Sequence, residues 1–312
     1  MMNPLVTIAI PTYNRADSYL SDAIHAALSQ TYGNIEVLVS DNCSTDDTPQ
    51  LVKGITDRRL TYFRQARNIG FRNNMNFLLG KATGRYFLLY PDDDLIDPDF
   101  IEVCIEAAHA RPMTGLIMAG SRVIDEKGNI LRQKKFDCSG VSVEDLILLW
   151  YRRKVHMFLC STLFNTQTLR EVGGLEEKYA NFDDVAAEFK CAAKSGYVSV
   201  SPVKGGLRTH ATTITQTAGV AAWADSSLAL LDLAISLGFS RREEIAAIGH
   251  RVSATRSYVL ADELPSLAHR WKGYVTVLRK FGYRRWPALQ AVKALALATL
   301  RAPFFAPHRP RE

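Results

Sequence analysis

Short apolar runs alternate with helical spacings over roughly the first 90 residues, and this alternation restricts the fold more than any other feature. Residues 5–10, 35–40 and 86–90 are apolar almost throughout, as are strands buried on both faces of a parallel sheet. A shorter strand is predicted over 60–63, and the connecting helices over 17–32, 46–55 and 71–79. This order predicts an α/β fold with a mostly parallel, Rossmann-like sheet that is flanked by helices.

The second half continues this pattern less regularly and then becomes helical. Strands are predicted over 116–123, 156–164 and 197–200, and helices over 97–111, 143–152, 167–171 and 183–195. After residue 218 every segment has helical spacing, namely 221–237, 241–260, 265–281 and 287–300. We therefore expect an α/β domain over 1–218 and a helical region over 219–312.

Composition places the chain among globular proteins. Its 312 residues are 47% apolar and 22% charged, which excludes a collagen-like or largely disordered chain. The five cysteines are scattered without a C-x-x-C pair, so we expect neither a disulfide framework nor a zinc site. The amino terminus lacks the basic flank and the apolar length of a signal peptide. We expect a cytoplasmic protein.

Positive charge is concentrated at the carboxyl end. Ten basic residues and one acidic residue follow position 264, so this part carries +9 and the remainder −3 of the net +6. Aromatic residues and an Ala/Leu-rich run interrupted by Lys293 lie among these charges, and the run is too short to span a bilayer. Two interpretations stay open for 265–312: helices at an anionic membrane surface on the inner face of the cell membrane, or a lid packed on the main domain. Nucleic acid is the least expected partner, because the charge lies on Ala/Leu-rich helices.

Polar clusters follow each predicted strand of the first half, at 11–15, 40–48, 67–70 and 91–94. The carboxyl ends of parallel strands meet at one edge of a sheet, where open α/β sheets bind their ligands. We therefore expect these four clusters to form one site.

Asp92, Asp93 and Asp94 form the most informative of these clusters. Three adjacent carboxylates repel one another, and a hard divalent cation relieves the repulsion and bridges to phosphate oxygens. The alternative is an acidic cap for the helix that opens at Asp97. No G-x-x-x-x-G-K-[ST] motif is present, so phosphates would be held by metal, arginine and backbone groups.

An ordered set of motifs over residues 4–212 resembles the family 2 glycosyltransferases of GT-A fold. The motifs include Val6-Thr-Ile-Ala-Ile-Pro-Thr-Tyr-Asn-Arg, Val39-Ser-Asp-Asn-Cys-Ser-Thr-Asp, Asn68-Ile-Gly, Leu89-Tyr-Pro-Asp-Asp-Asp and Val172-Gly-Gly-Leu. The resemblance implies a nucleotide-diphosphate sugar donor, Mn²⁺ or Mg²⁺ on the diphosphate, and inversion at the anomeric carbon. With this activity, the basic, aromatic end suggests a saccharide or lipid-linked saccharide acceptor at the inner membrane face, as in surface polysaccharide synthesis.

The resemblance assigns a nucleotide-sugar site to the first three clusters. Asp41 and Asn42 match a pair that contacts base and ribose; that pair is often Asp-Asp, so Asn42 is a departure. Met75 stands where an arginine often occurs, so Arg67 or Arg72 is expected to supply charge to the diphosphate. The remaining matches to this site are Pro11, Thr12, Tyr13, Asn14 and Asn68.

The metal motif has two registers. In strict register Pro91 replaces the first acid, which leaves Asp92 on the ribose side and Asp93 on the metal, with Asp94 in support. In the looser register Asp92 and Asp94 form the pair. His210 matches a histidine that closes the site and can contact the metal or diphosphate, although a lone histidine is as often an ordinary residue.

Asp183 and Asp184 occupy the place of the family's Glu-Asp motif. The resemblance makes Asp184 the general base and puts Asp183 on the acceptor side; the alternative is an acidic helix cap. A carboxylate is suited to the role because the acceptor hydroxyl must lose its proton as it attacks. The chain is thus predicted to be a metal-dependent inverting glycosyltransferase. The alternatives are a sugar nucleotidyltransferase, although its Gly-rich loop is missing after the first strand, and a non-catalytic nucleotide- or saccharide-binding module with a degenerate site.

Overall fold

A computed structural model describes residues 3–111, 113–210 and 219–282. Its first half holds four parallel strands in the order β3-β2-β1-β4. The strands are β1 (Val6–Thr12), β2 (Ile35–Asp41), β3 (Leu60–Arg64) and β4 (Tyr86–Leu89), connected by α1 (Leu20–Leu28), α2 (Thr48–Lys53) and α3 (Phe71–Lys81). Helix α1 begins at Leu20 and not at Asp17, because the preceding residues form turns, with the Ser18 N–H donating to the carbonyl of Arg15.

The second half of the sheet is largely antiparallel. Beyond β4 the order continues β8-β6-β9-β5, with β7 paired to β6. These strands are β5 (Leu95–Ile96), β6 (Leu116–Ile124), β7 (Ile130–Lys134), β8 (Thr162–Asn165) and β9 (Tyr197–Arg208). Half of the strand pairings among the described residues are antiparallel, so the sheet is mixed and not mostly parallel. The hairpin between β6 and β7 shows why: a short turn can join only antiparallel strands.

Three features of this half escaped the sequence prediction. Strand β5 has two residues, and β7 lies largely exposed with no apolar alternation. Strand β9 continues to Arg208 although Pro202 and two glycines interrupt its pattern. It does so through register shifts against β6, which accommodate residues that a regular ladder excludes. The predicted strand over 156–164 is reduced to β8, which follows a 3-10 turn at Leu159–Ser161.

The sheet separates two apolar cores. On one face Val6, Ile8 and Ile10 pack with α1 and α4 (Phe100–Ala108). On the other face Ala9 and Phe87 pack with α3, α5 (Val143–Tyr151) and α7 (Asp183–Ser195). A short helix, α6 (Thr166–Glu171), follows β8. Alternate residues of one strand thus support two helical layers.

Three helices end the described chain, namely α8 (Val220–Ser236), α9 (Arg242–Asp262) and α10 (Leu267–Phe281). They share a small core that includes Ala254, Val277 and Phe281. Helix α8 also enters the main core through Trp223 and Leu230. The helix predicted over 287–300 lies outside the described residues. Among the helices that the structure describes, none is long and apolar enough to cross a membrane.

Candidate active site

Asp183 and Asp184 form the first turn of α7, where the sequence places them. A 3-10 segment, Glu177–Phe182, leads into this turn and holds Ala180 at a positive φ of 42°. Asp183 Oδ1 accepts a hydrogen bond from the Asp184 N–H (2.9 Å), and Asp184 Oδ1 accepts one from the Val185 N–H (2.7 Å). Free N–H groups at a helix start favour negative charge, so this turn holds two carboxylates.

Arg72 of α3 pairs with Asp183. Its Nε donates to Asp183 Oδ2 at 2.7 Å, and this ion pair ties α3 to the start of α7. Arg72, predicted to be a source of charge for the diphosphate, therefore lies beside Asp183.

The Asp184 carboxyl titrates near neutral pH. Burial raises its pKa to about 7, and the adjacent charge of Asp183 adds to the effect. The Val185 N–H and the positive charge of Arg256 act in the opposite direction. A carboxylate with such a pKa is well matched to taking up a proton from a hydroxyl near pH 7.

Glu188 lies one helical turn beyond Asp184 and was not singled out from the sequence. It is fully buried; Oε1 lies 2.9 Å from the Thr162 hydroxyl, and Oε2 has no hydrogen-bond partner. Burial raises its pKa well above the usual range, and the charge of Asp184 adds to this. Thr162 also donates to the carbonyl of Phe158 (3.1 Å), so a protonated Glu188 is the form that satisfies both contacts. The i, i+4 spacing of two acids on one helix is the signal that would have found it.

The Asp92–Asp94 cluster follows β4 and meets the end of β9. Asp93 Oδ2 lies 2.8 Å from His210 Nε2. The Arg208 N–H donates to Asp94 Oδ1 (2.9 Å), and the Arg208 Nε donates to the Asp93 carbonyl (2.8 Å). These contacts join residues more than 110 positions apart, which no local pattern reveals.

Asp92 and Asp94 are buried, with pKa values that are raised. Burial and the charge of Asp93 raise the pKa of Asp92 to about 6, while Arg15, whose Nε lies 3.6 Å from Asp92 Oδ1, opposes the shift. For Asp94 the pKa is raised well above its usual range by burial and Asp93. A nearby cation would relieve the repulsion.

Asp93 and His210 fit a divalent cation whose other ligands are substrate phosphates and water. Within the described ranges no group of three or more His, Cys, Asp or Glu is arranged to hold a metal ion. Mg²⁺-type sites, however, commonly use one or two protein ligands together with substrate phosphates and water. An imidazole and a carboxylate that already adjoin are such a pair, whereas the Asp94 carboxylate is engaged by the β9 backbone.

Tyr19 and Arg208 lie beside His210, and neither was predicted to be a site residue. The Arg208 guanidinium lies 4.1 Å from the centre of the Tyr19 ring, and the His210 ring lies 5.8 Å from it. Arg208 also donates to the carbonyls of Asp125 and Glu126. The motif Leu207-Arg-Thr-His could have indicated Arg208, since it places this arginine two residues before His210.

Asp41 and Asn42 join the loops of the predicted nucleotide edge. Asp41 is fully buried, and its two oxygens accept from the Ser44 N–H and the Tyr62 hydroxyl, both at 2.7 Å. Asn42 Nδ2 donates to Asn68 Oδ1 (2.9 Å), and Asn42 Oδ1 accepts from the Ile69 N–H (2.8 Å). An amide donates and accepts at once, which explains why asparagine suits position 42.

The remaining predicted residues lie around the same edge. Pro11 and Thr12 are buried at the end of β1, and Tyr13 is exposed. Asn14 has a positive φ of 53°, and its side-chain oxygen accepts from the Thr45 N–H. Arg67 makes no hydrogen bond or ion pair with the described residues and lines an open cavity of about 490 Å³ with Asn68, Ile69 and Asn73.

Comparisons of sequence identify the family of this chain. Residues 7–171, more than half of the chain, match the family model described as Glycosyl transferase family 2. An uncharacterized glycosyltransferase of Rickettsia conorii is 32% identical over 192 residues, 60% of this chain and 31% of that protein. The succinoglycan biosynthesis protein ExoO of Rhizobium meliloti is 39% identical over 107 residues, 34% of this chain and 30% of that protein. The chain thus spans about a third of the length of the curated relatives that it matches first.

Comparisons of structure confirm the predicted GT-A fold. TarS 1–349 of S. aureus in complex with UDP-GlcNAc superposes with a TM-score of 0.71 at 16% identity, over 88% of this chain and 80% of that one. A mannosyltransferase of Pyrobaculum calidifontis in complex with GDP-Man and Mn²⁺ gives a TM-score of 0.54 at 18% identity, over 96% and 81% of the two chains.

Proposed function

This chain belongs to glycosyl transferase family 2, and we propose that it is a metal-dependent, inverting transferase that moves a sugar from a nucleotide-diphosphate donor to a saccharide or lipid-linked saccharide. The observation that carries the proposal is the position of the Asp184 carboxylate in the first turn of α7, where it accepts a hydrogen bond from the Val185 N–H and burial raises its pKa to about 7. The relation to a succinoglycan biosynthesis protein supports an acceptor in surface polysaccharide synthesis.

Asp184 accepts the proton of the acceptor hydroxyl. The hydroxyl oxygen forms a bond to the anomeric carbon as the bond from that carbon to the diphosphate oxygen breaks, and the nucleoside diphosphate leaves. Attack from the face opposite the leaving group inverts the configuration. Asp183, fixed by Arg72 at 2.7 Å, positions this turn and lies on the acceptor side.

In this proposal the diphosphate lies near Asp93 and His210. These two residues would hold a Mn²⁺ or Mg²⁺ ion, whose charge offsets that of the departing diphosphate. The Asp93–His210 contact supports the strict register of the motif, with Asp92 on the ribose side and Asp94 as the residue that fixes the loop to β9.

The nucleoside lies along the 11–14, 41–42 and 67–70 loops in this proposal. Arg67, which faces the open cavity, supplies charge to the phosphates, whereas Asp41 and Asn42 act mainly by holding the loops in place. The structural neighbours in complex with UDP-GlcNAc and GDP-Man support a nucleoside-diphosphate sugar as the donor class.

The helical region over 219–312 is proposed to complete the acceptor side of the domain over 1–218 and to contact an anionic membrane surface at the inner face of the cell membrane. Helix α10 packs on its neighbours through Gly273, Val277 and Phe281. Its other side exposes Leu267, Leu278 and 68% of Trp271. Helix α10 thus has one face packed on α8 and α9 and one exposed apolar face flanked by arginine and lysine, which supports the membrane interpretation for this part of the basic end.

Thermal unfolding with nucleotides tests the proposed donor site. The protein is heated with UDP, GDP, dTDP or CMP, each with Mn²⁺ or with EDTA. A nucleotide at a hundred times its dissociation constant stabilises the folded state by ~2.7 kcal/mol. We expect one nucleotide to stabilise only with metal, and Asp93→Asn to remove the metal-dependent part. Failure of all four to stabilise the protein would instead favour the non-catalytic module.

A further inference from the structure

Arg256 of α9 stands out as a cation without an anionic partner beside the candidate active site. Its guanidinium lies 4.8 Å from the centre of the Trp223 ring and 5.2 Å from that of Phe182. It makes no hydrogen bond or ion pair with any residue that the structure describes. Two aromatic rings hold the group in position, and because a cation–π contact uses no hydrogen-bond acceptor, it leaves the N–H donors available.

The aromatic pair belongs to the turn that carries the proposed base. Phe182 precedes Asp183, and its ring lies 5.2 Å from that of Trp223 in an edge-to-face arrangement. Ser226 of α8 accepts a hydrogen bond from the Asn181 N–H (3.4 Å). Helices α8 and α9 are therefore built onto the acceptor side of the pocket.

The charges that act on Arg256 are those of another cation, Arg153, and one acid, Asp184. The residue as a whole is exposed, but its guanidinium lies in a crowded place, and this desolvation together with the charge of Arg153 lowers its pKa. The charge of Asp184 acts in the opposite direction on that pKa. Arg256 is thus within electrostatic range of the proposed base without pairing with it.

We propose that Arg256 binds an anionic oxygen group, a phosphate or a carboxylate, on the acceptor substrate. This inference rests on the proposed function and specifies its acceptor as an anionic saccharide. A guanidinium matches either group with two parallel hydrogen bonds. The site would align the acceptor so that its hydroxyl lies at Asp184.

Titration of the full-length chain with small anions tests this site. The probes are glycerol 1-phosphate, glucuronate and neutral glucose at constant ionic strength, each with and without UDP or GDP and Mn²⁺ so that donor phosphate sites are filled in one arm. We expect at least one anion to bind more tightly than glucose. Whether glycerol 1-phosphate or glucuronate binds more tightly shows whether the site prefers a phosphate or a carboxylate. Arg256→Gln should weaken that binding about tenfold or more, since a charge-assisted hydrogen bond is lost.

Matched variants separate binding from stability. Arg251→Gln removes an equal charge from the same helix and should leave the anion affinity unchanged, and Arg256→Lys should restore part of it. If Arg256→Gln lowers only the unfolding temperature while anions bind as before, or if neither anion binds better than glucose, the inference is wrong. Thermal stabilisation by UDP or GDP with Mn²⁺, measured in the same samples, tests the proposed donor site separately from the anion site.

Discussion

At the scale of single residues, the site depends on carboxyl groups whose pKa values are shifted by their surroundings. Asp92, Asp94, Asp184 and Glu188 all titrate above their usual range, and burial is the largest cause for each. Their hydrogen-bond partners among the described residues differ: Asp94 accepts from the Arg208 N–H, Asp184 from the Val185 N–H, and Glu188 adjoins the Thr162 hydroxyl. Acids with strongly shifted pKa values are found at active sites more often than elsewhere.

The first prediction concerns the pH dependence of transfer. Only the deprotonated Asp184 accepts a proton, so kcat/KM should rise with pH to a plateau with an apparent pKa of about 7. Asp183→Asn removes the charge that adds to the effect of burial, and the midpoint should move to lower pH. Arg72→Gln breaks the same ion pair but keeps the Asp183 charge, and it should produce no downward shift. A midpoint that Asp183→Asn leaves in place would count against this account.

Glu188 gives a second prediction, on stability. A group with a raised native pKa stabilises the fold fully below its unfolded pKa of about 4.3, and this contribution falls as pH rises. Glu188→Gln should therefore match the wild type in free energy of unfolding at pH 4 and exceed it at pH 8. Glu188→Ala leaves a cavity and should be less stable at both pH values. Lower stability of the glutamine variant at pH 8 would mean that Glu188 is ionised in the fold.

At the scale of elements, sequence patterns predicted the helices and strands that depend on nearby residues. They missed those that depend on contacts between residues far apart in the chain. The helix over 183–195 was placed correctly because its apolar spacing and the preceding Gly173-Gly174 are local signals. The prediction ended strand β9 at residue 200, because the register shifts that allow it to continue past Pro202 occur only in its pairing with β6. Likewise the resemblance supplied Asp93, His210 and Asp184, whereas Arg256 reaches the site only because α9 packs on α8.

The turn before α7 gives a third prediction. A Cβ on Gly174, whose φ is +65°, would lie 2.6 Å from Asn76 Oδ1, and Asn76 holds this turn through both the N–H and the carbonyl of Leu175. Gly174→Ala should destabilise the fold by about 2 kcal/mol or more. Gly173→Ala shares the positive φ but meets only the flexible Glu176 side chain at 3.4 Å, so its loss should be smaller. Equal denaturation midpoints for the two variants would argue against the close contact.

At the scale of the whole molecule, the helical region packs on the main core through its first helix and exposes apolar side chains on its last. Helix α8 contributes Trp223 to the main core, α9 places Arg256 against the rings of Trp223 and Phe182, and α10 exposes Trp271. The proposed anion site and the proposed membrane surface therefore belong to the same helical region.

Membrane association is the fourth prediction. The full chain should sediment with phosphatidylglycerol vesicles at low salt and less with phosphatidylcholine vesicles, because basic residues flank the exposed apolar face. Replacing Leu267 and Trp271 with serine should weaken sedimentation, whereas Val259→Ser, an exposed apolar residue of α9, should not. A truncated variant that tests the basic end should lose only residues after 282, because Val277 and Phe281 belong to the core of the helical region. Sedimentation that is independent of lipid charge and of these residues would contradict the prediction.

The most direct measurement of the central claim compares Asp184→Asn with the wild type for both donor binding and sugar transfer. Nucleotide-sugar donors and Mn²⁺ are incubated with a panel of saccharide and lipid-linked saccharide acceptors, and release of the nucleoside diphosphate is followed. Our account predicts that Asp184→Asn abolishes transfer to any acceptor that the wild type uses, while the metal-dependent stabilisation by nucleotide stays unchanged. Transfer by Asp184→Asn at a rate near that of the wild type would contradict the assignment of Asp184 as the base.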